Sequence, residues 1–310
     1  MIIIAGEYQP VKNKDQTLFV NKKTGEIFDS KGQSVFIQSV EERQQIKNHF
    51  INCQIKEEKK KYIERQYKEY GNFVWMVYSM LQCNFLNISP SNLTRLMFIS
   101  TYLGYKGYLQ KSRNTFMNKD DVFEILKLST REFNRFYTEM FDNKILCDKQ
   151  NKIFLNNDIF IRGNIKAKQV GQIYQQEQMI TRIYIKAIRE LYNKATPRSH
   201  KTLSYIFQAM PYVNRDYNMC CFNPLETNIY NIKSMNLGQF CDIIGYDKNN
   251  SKRLLKILFE PKFQVDNREE SAMNYVIKHS LDQTTYGMFI NPRVYYAGNK
   301  WNEIKVLCEF

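Results

Sequence analysis

Histidine is scarce in this chain: His49, His200 and His279 are the only three in 310 residues, and they sit far apart in unrelated contexts. A rolling-circle nickase needs two histidines flanking one apolar residue as metal ligands beside a tyrosine nucleophile, and no such pair occurs. The seven cysteines (Cys53, Cys83, Cys147, Cys220, Cys221, Cys241 and Cys308) have neither zinc-site spacing nor the pattern of a secreted disulfide framework, so they read as reduced, mostly buried thiols. Glycine loops that cradle phosphate, of the G-x-x-x-x-G-K-S/T or G-x-G-x-x-G kind, are missing, as is an aromatic RNP segment for stacking RNA bases. No apolar run is long enough to span a bilayer, and Met1-Ile2-Ile3-Ile4-Ala5 is cut short by Gly6-Glu7 before it could act as a signal peptide. The expected chain is therefore globular and cytoplasmic, with no catalytic residue, metal ligand, cofactor or membrane contact. Tyrosine, at 21 of 310 residues, keeps a DNA-processing enzyme with a Tyr nucleophile as an alternative, although no clustered Arg and His accompany it to stabilise charge on phosphate.

An acidic counterweight is lacking too. Net charge is +14, and it is spread as +3 over residues 1–72, +4 over 73–164, +1 over 165–179, +6 over 180–299 and 0 over 300–310. A basic excess carried by folded segments rather than by one tail fits a polyanionic partner. With 43% hydrophobic and 14% aromatic residues, the chain can build substantial cores.

What is present centres on residues 118–164. Asn118 is a good N-cap for a short helix with Val122, Phe123, Ile125 and Leu126 facing inward. Ser129 then opens a second helix, with Glu132 as the other half of a capping box and Phe133, Phe136, Tyr137 and Met140 at helical spacing. Two helices joined by about three residues are a helix-turn-helix candidate. Outside the second helix lie Thr130, Arg131, Asn134, Arg135 and Thr138, in the half that meets base edges in a major groove. Ile145-Leu146-Cys147 and Ile153-Phe154-Leu155 read as a hairpin with the polar tip Asp148-Lys149-Gln150-Asn151-Lys152, suited to lie against phosphates.

A divergent second copy follows. At a constant offset of 107 residues, Ser89-Pro90-Ser91 lies over Thr196-Pro197-Arg198, Leu96 over Leu203, Ile99 over Ile206 and Tyr105 over Tyr212. At an offset of 135, residues 156–164 lie over 291–299, leaving 28 extra residues inside the second copy. Between these ends, Asn236 can cap a helix through Phe240, Ile243 and Ile244 that Gly245 breaks. Asn250 or Ser251 opens the next, with Leu254, Leu255, Ile257 and Leu258 inward, Asn249, Asn250, Lys252, Arg253 and Lys256 outward, and Pro261 closing it. A longer hairpin pairs Tyr275–His279 with Gly287–Ile290 around Leu281–Tyr286.

Two flanking segments complete the reading. Leu18-Phe19-Val20 and Glu26-Ile27-Phe28 form a hairpin whose turn uses Gly25 at positive φ, and Glu41–Tyr70, free of Gly and Pro, reads as a long solvated helix with its charges around Glu57-Glu58-Lys59-Lys60-Lys61. From Ala167 to Asn193, Val170, Ile173, Tyr174, Ile180, Ile183, Tyr184, Ala187, Ile188 and Leu191 fit one continuous helix, on the order of 40 Å if straight, comparable to the roughly 34–36 Å of one duplex turn, so that the copies would address successive grooves.

In this order, from Ser-Pro-Ser or Thr-Pro-Arg through an apolar helix, a helix-turn-helix and a hairpin to Asn-Pro-Arg-Val-Tyr-Tyr-Ala-Gly-Asn (291–299, with 156–164 as a weaker twin), the chain resembles the winged-helix proteins of plasmids and phages of Gram-positive bacteria, which include replication initiators and regulators. The resemblance covers most of residues 73–299 and implies a tandem winged-helix fold, DNA binding and a mobile-element origin. Asn157 stands where that pattern usually has proline, and the second copy carries its long insertion.

The expected fold is mostly α with small β-hairpins (α+β): two winged helix-turn-helix domains, 72–164 and 180–300, joined by a long helix that includes the connector 165–179, with an N-terminal hairpin and charged helix in 1–71 and a tail at 301–310. The expected partner is double-stranded DNA, with self-association and host replication or transcription proteins as further partners. The expected contacts are Ser129, Thr130, Arg131, Asn134, Arg135, Thr138, Lys149, Asn151 and Lys152 in the first copy, and Asn249, Asn250, Lys252, Arg253 and Lys256 in the second. Arg131, Asn134, Asn250 and Arg253 would read bases, Arg135 would meet a base or a phosphate, and Lys149, Lys152, Lys252 and Lys256 would hold phosphates. A protein-docking scaffold is the competing expectation, because a fold does not fix a function.

Overall fold

The computed structural model describes residues 2–304 apart from 6, 14–15, 30, 32–34, 39, 80–87, 164, 166, 176–177 and 280–283. The chain divides into two compact units, Met1–Glu69 and Tyr70–Phe310.

The first unit holds β1 (Ile2–Ala5), β2 (Tyr8–Asn13), β3 (Gln16–Asn21), β4 (Ile27–Asp29) and β5 (Val35–Gln38), followed by α1 (Val40–Tyr70), whose last residue falls in the second unit. The expected hairpin is β3–β4, with Phe19 opposite Phe28 and Gly25 at φ +72°; β2 extends it to three strands, and β1 runs parallel to β5. Every side chain described between Glu41 and Glu69 is exposed, as the charge of that helix demands.

The second unit begins with β6 (Phe73–Ser79), α2 (Pro90–Ser100), β7 (Gln110–Ser112) and β8 (Thr115–Phe116). The expected helix pair follows as α3 (Lys119–Leu126) and α4 (Thr130–Asp142), then the hairpin β9 (Leu146–Asp148) and β10 (Ile153–Leu155), and the exit strand β11 (Phe160–Ile161). After α5 (Ala167–Gln175) come β12 (Gln178–Tyr184), α6 (Ile185–Lys194), a 3-10 turn Pro197–Ser199 and α7 (His200–Gln208). Then α8 (Leu237–Ile244), the 3-10 turn Lys248–Asn250 and α9 (Ser251–Phe259) lead to β13 (Lys262–Val265), β14 (Arg268–Ser271), β15 (Met273–His279), β16 (Thr284–Ile290), β17 (Tyr295–Tyr296) and α10 (Trp301–Ile304). The whole is mixed helix and strand in small sheets, richer in strand than expected. Of the thiols, Cys220, Cys221 and Cys241 are buried and Cys53 is exposed, while Cys83 and Cys308 lie outside the described residues.

The continuous connector helix is not there. Its first part is α5, its last part is α6, and between them β12 is a central strand with Met179 through Tyr184 buried. The physical reason lies in what burial does to periodicity. A strand covered on both faces is apolar throughout, and a short apolar run matches a helix as well as a strand. The tail also starts inside the fold, since Ile304 is buried in a cluster with Tyr70, Tyr184 and Tyr296.

Strand order in the central sheet is β11-β6-β12-β17, antiparallel throughout. Phe160 stands opposite Met76 and Ile161 opposite Trp75; at the offsets of 135 and 107 these pairs become Tyr295 opposite Ile183 and Tyr296 opposite Arg182, and those are the pairs formed. A third block sits between. Asn118 and Asn236 each cap an eight-residue helix through a reciprocal capping box, and Lys127 and Gly245 end those helices at φ +50° and +64°. All these pairs lie at an offset of 118, so eleven of the extra residues precede the second helix pair and 17 follow it. Part of the later insertion is the hairpin β13–β14, which the sequence reading did not contain; the expected hairpin Tyr275–His279 with Gly287–Ile290 is formed by β15 and β16, and residues 280–283 at its tip lie outside the described residues.

In the pairing of β6 with β12, Trp75 faces Arg182. These two positions are also equivalents at the offset of 107. A position opposite its own equivalent marks a local two-fold axis, so the copies are related by rotation about this point of the sheet. The Arg182 guanidinium lies 4.6 Å from the Trp75 ring centre and donates to the Gly298 carbonyl and to Asn299 Oδ1, both at 2.8 Å. Helices α2 and α7, equivalents of each other, pack together, with Thr94 Oγ1 donating to the His200 carbonyl at 2.8 Å. One hydrophobic core runs from Val74 to Tyr295 through both copies.

Candidate nucleic-acid interface

The outer face of α4 is made by charge sorting. Three apolar side chains, Phe133, Phe136 and Met140, are buried. Two of its acids turn toward α2: Glu139 accepts from the Ser89 backbone, the Ser89 hydroxyl and the Asn92 amide, and Glu132 pairs with Arg95 at 3.2 Å. That leaves Thr130, Arg131, Asn134, Arg135 and Thr138 exposed, and among the described residues neither arginine has an ion-pair partner. Ser129 is the N-cap, its hydroxyl oxygen accepting from the Glu132 N–H at 3.3 Å. The expected reciprocal half of that box is absent, because the Glu132 carboxylate takes the Ser129 hydroxyl and the buried Arg95 instead.

The equivalent helix α9 repeats this arrangement. Leu254 and Leu258 are buried at the positions of Phe136 and Met140, displaced by 118, and Asn249, Asn250, Lys252, Arg253 and Lys256 are exposed. Asn249 matches Arg131, Lys252 matches Asn134, Arg253 matches Arg135 and Lys256 matches Thr138. No ion pair among the described residues engages Lys252, Arg253 or Lys256. Asn250 differs from expectation: its amide donates to Asp247 Oδ2 at 2.8 Å, so its side chain is committed to the turn before α9.

The first hairpin turns tightly at Gln150 and Asn151, at φ +55° and +57°, the conformation a two-residue turn between twisted strands requires. Lys149 and Asn151 are exposed and Lys152 half-buried. Each lysine lies over a ring, Lys149 Nζ 4.6 Å from the centre of Phe154 and Lys152 Nζ 4.6 Å from that of Phe116. Beside α9, a groove of about 540 Å³ is lined by Lys252, Leu255, Lys256, Phe259, Asn274 and Tyr275. Nothing in the sequence singles out Asn274, and strand alternation over 273–279 marks Tyr275 as a strand residue without giving its approach to the Phe259 ring, 4.5 Å between centres.

Behind these faces, Arg95 and His200 form the seam between the copies. Arg95 Nε donates to His200 Nδ1 at 3.3 Å, and the His200 ring stacks on Tyr192 with centres 4.6 Å apart. Burial first, and the Arg95 charge second, push the His200 imidazole down to about 4, so it is neutral at pH 7. Tyr192 O–H donates to the Leu126 carbonyl at 2.8 Å, tying α6 of the second copy to the end of α3 in the first.

No protein-family model matches the chain, and no curated protein aligns with it significantly. Among the described residues no helix is long and apolar enough to cross a membrane.

Proposed function

We propose that this chain is a cytoplasmic, non-enzymatic, sequence-specific binder of double-stranded DNA, built from two winged-helix units, and that it serves as a replication initiator or transcription regulator of a plasmid or phage. One observation carries the reading: the same outer helix face is cationic and, among the described residues, without ion-pair partners in both copies, at Arg131 and Arg135 and again at Lys252, Arg253 and Lys256. Guanidinium groups near the start of a helix suit guanine edges in a major groove, and the lysines of the first hairpin and of α9 suit phosphates. The test is a titration of the full chain with duplex carrying the DNA that flanks its gene. If about eight phosphates are neutralised, log affinity falls against log salt with a slope near −7. A flat response rejects the electrostatic mechanism, and footprints over a repeat-rich origin or over a promoter separate the two processes.

A protein-docking role has one observation in its favour. Phe222, Leu225, Ile229 and Tyr230, in the residues that precede α8, are all exposed, Tyr230 at 93%. Loss of association with a protein partner, without loss of DNA affinity, on Phe222→Ser and Tyr230→Ser would assign docking to that patch.

A further inference from the structure

Resting on the DNA-binding reading, the symmetry of the second unit determines what kind of site the two faces could share. Two reading faces related by translation meet a duplex as direct repeats. Faces related by a two-fold axis both meet one duplex only when its own two-fold coincides with that axis, and then the half-sites are inverted. Here the relation is rotational. Trp75 and Arg182 are equivalents that face each other in antiparallel strands, the flanking pairs Phe160 with Met76 and Tyr295 with Ile183 repeat on either side, and α2 packs on its own equivalent α7. The two reading helices sit on that central pair: α4 is held to α2 through Glu132 with Arg95 and Glu139 with Asn92, while α9 packs on α7.

The faces are equivalent in position but not in chemistry. Arg135 and Arg253 coincide, whereas Arg131 is matched by Asn249, Asn134 by Lys252 and Thr138 by Lys256. We propose that a single copy of this chain binds an imperfect inverted repeat in which Arg135 and Arg253 read the same base, guanine, at symmetric positions, and in which the neighbouring position is adenine opposite Asn134 and unspecified opposite Lys252, which holds a phosphate. The pairing rules are geometric: a guanidinium group matches the O6 and N7 acceptors of guanine, and a carboxamide matches the N6 donor and N7 acceptor of adenine.

Selection of the full chain from a random duplex library, with the mass of the complex measured by sedimentation, tests this. The expected result is an enriched inverted repeat bound by one chain. Arg135→Ala should lower preference for the shared guanine in one half only, by roughly 10- to 100-fold, and Arg253→Ala in the other half. The combined variant Asn249→Arg, Lys252→Asn, Lys256→Thr makes the two faces alike at these three positions and should shift selection toward a palindrome. A direct repeat, a single half-site, or an inverted repeat carrying two chains overturns the proposal while leaving DNA binding in place. Selection of no duplex at all removes both.

Discussion

Arg95 and His200 place a permanent cation against an imidazole in a site where His200 is 1% exposed. Protonating that ring would strip a charge of its hydration and, as the smaller effect, set it beside Arg95, which is why its affinity for a proton falls to about 4 from 6.5. The folded state binds the proton less tightly than the unfolded chain, so the stabilisation is complete above about pH 6.5 and is lost as pH falls toward 4, by up to about 3 kcal/mol. Urea unfolding of the wild type should show that decline across pH 6.5 to 4, and His200→Gln, which keeps a polar group of similar size, should flatten it. A decline of equal size in the variant would assign it to other groups. The outer residues of α4 and of the first hairpin answer to the DNA binding proposed above. Arg131→Ala should cost roughly 1–3 kcal/mol of DNA affinity and relax preference at one position, whereas Lys152→Ala should weaken all sequences about equally. Competition binding with matched and scrambled duplexes reads both, and uniform loss for both variants contradicts the division between base and phosphate contacts.

At the scale of the element, α3 and α8 are the same device made with different residues. Both are eight residues long, both start at a doubly bonded asparagine, and both end on a left-handed residue, Lys127 in one and Gly245 in the other. Glycine takes that conformation without a Cβ clash, and other residues pay for it by about 1 kcal/mol. Lys127→Gly should therefore raise the thermal midpoint of the second unit, and Gly245→Ala should lower it by a comparable step; nothing lies within 4 Å of a Cβ at Gly245, so sterics from neighbours do not confuse the result. The reverse order of effects would show that the turn is set by tertiary contacts. These caps are also why the helix pairs were legible in the sequence: a cap is a local signal of four residues. The strand β12 was not, because its partners β6 and β17 lie about a hundred residues away in each direction and its own pattern of apolar residues suits a helix equally well. The hairpin β13–β14 escaped for a different reason: Lys262-Phe263-Gln264-Val265 alternates as a strand does but over only four residues, and its partner Arg268-Glu269-Glu270-Ser271 reads as surface although Glu270 is 1% exposed between Arg268 and Arg293. Of the candidate site, the outward residues of α4 and α9 followed from helical spacing, while the turn that occupies Asn250 depends on the side chain of Asp247 and could not be read from spacing.

For the molecule as a whole, what the sequence presents as two modules lies within one compact unit, Tyr70–Phe310. The copies share strands at the centre of a sheet, a helix pair, and hydrogen bonds that cross between them, such as Tyr192 to Leu126. Separating them would strip β6 of seven paired residues and open the core where Phe98 stacks on Tyr192, with ring centres 3.9 Å apart. Either half alone would leave its central strand with an unpaired row of N–H and C=O groups and an apolar face open to water. The second unit should therefore unfold in a single transition, with amides of β6 and β12 exchanging only through global opening and reporting the same free energy. Hydrogen exchange followed by mass spectrometry measures this directly. Two groups of amides with separate opening energies, one from each copy, or a fragment of residues 70–164 that folds by itself with dispersed amide resonances, would instead make the copies independent domains and would dissolve the fixed two-fold relation set by the central sheet and the α2–α7 pair.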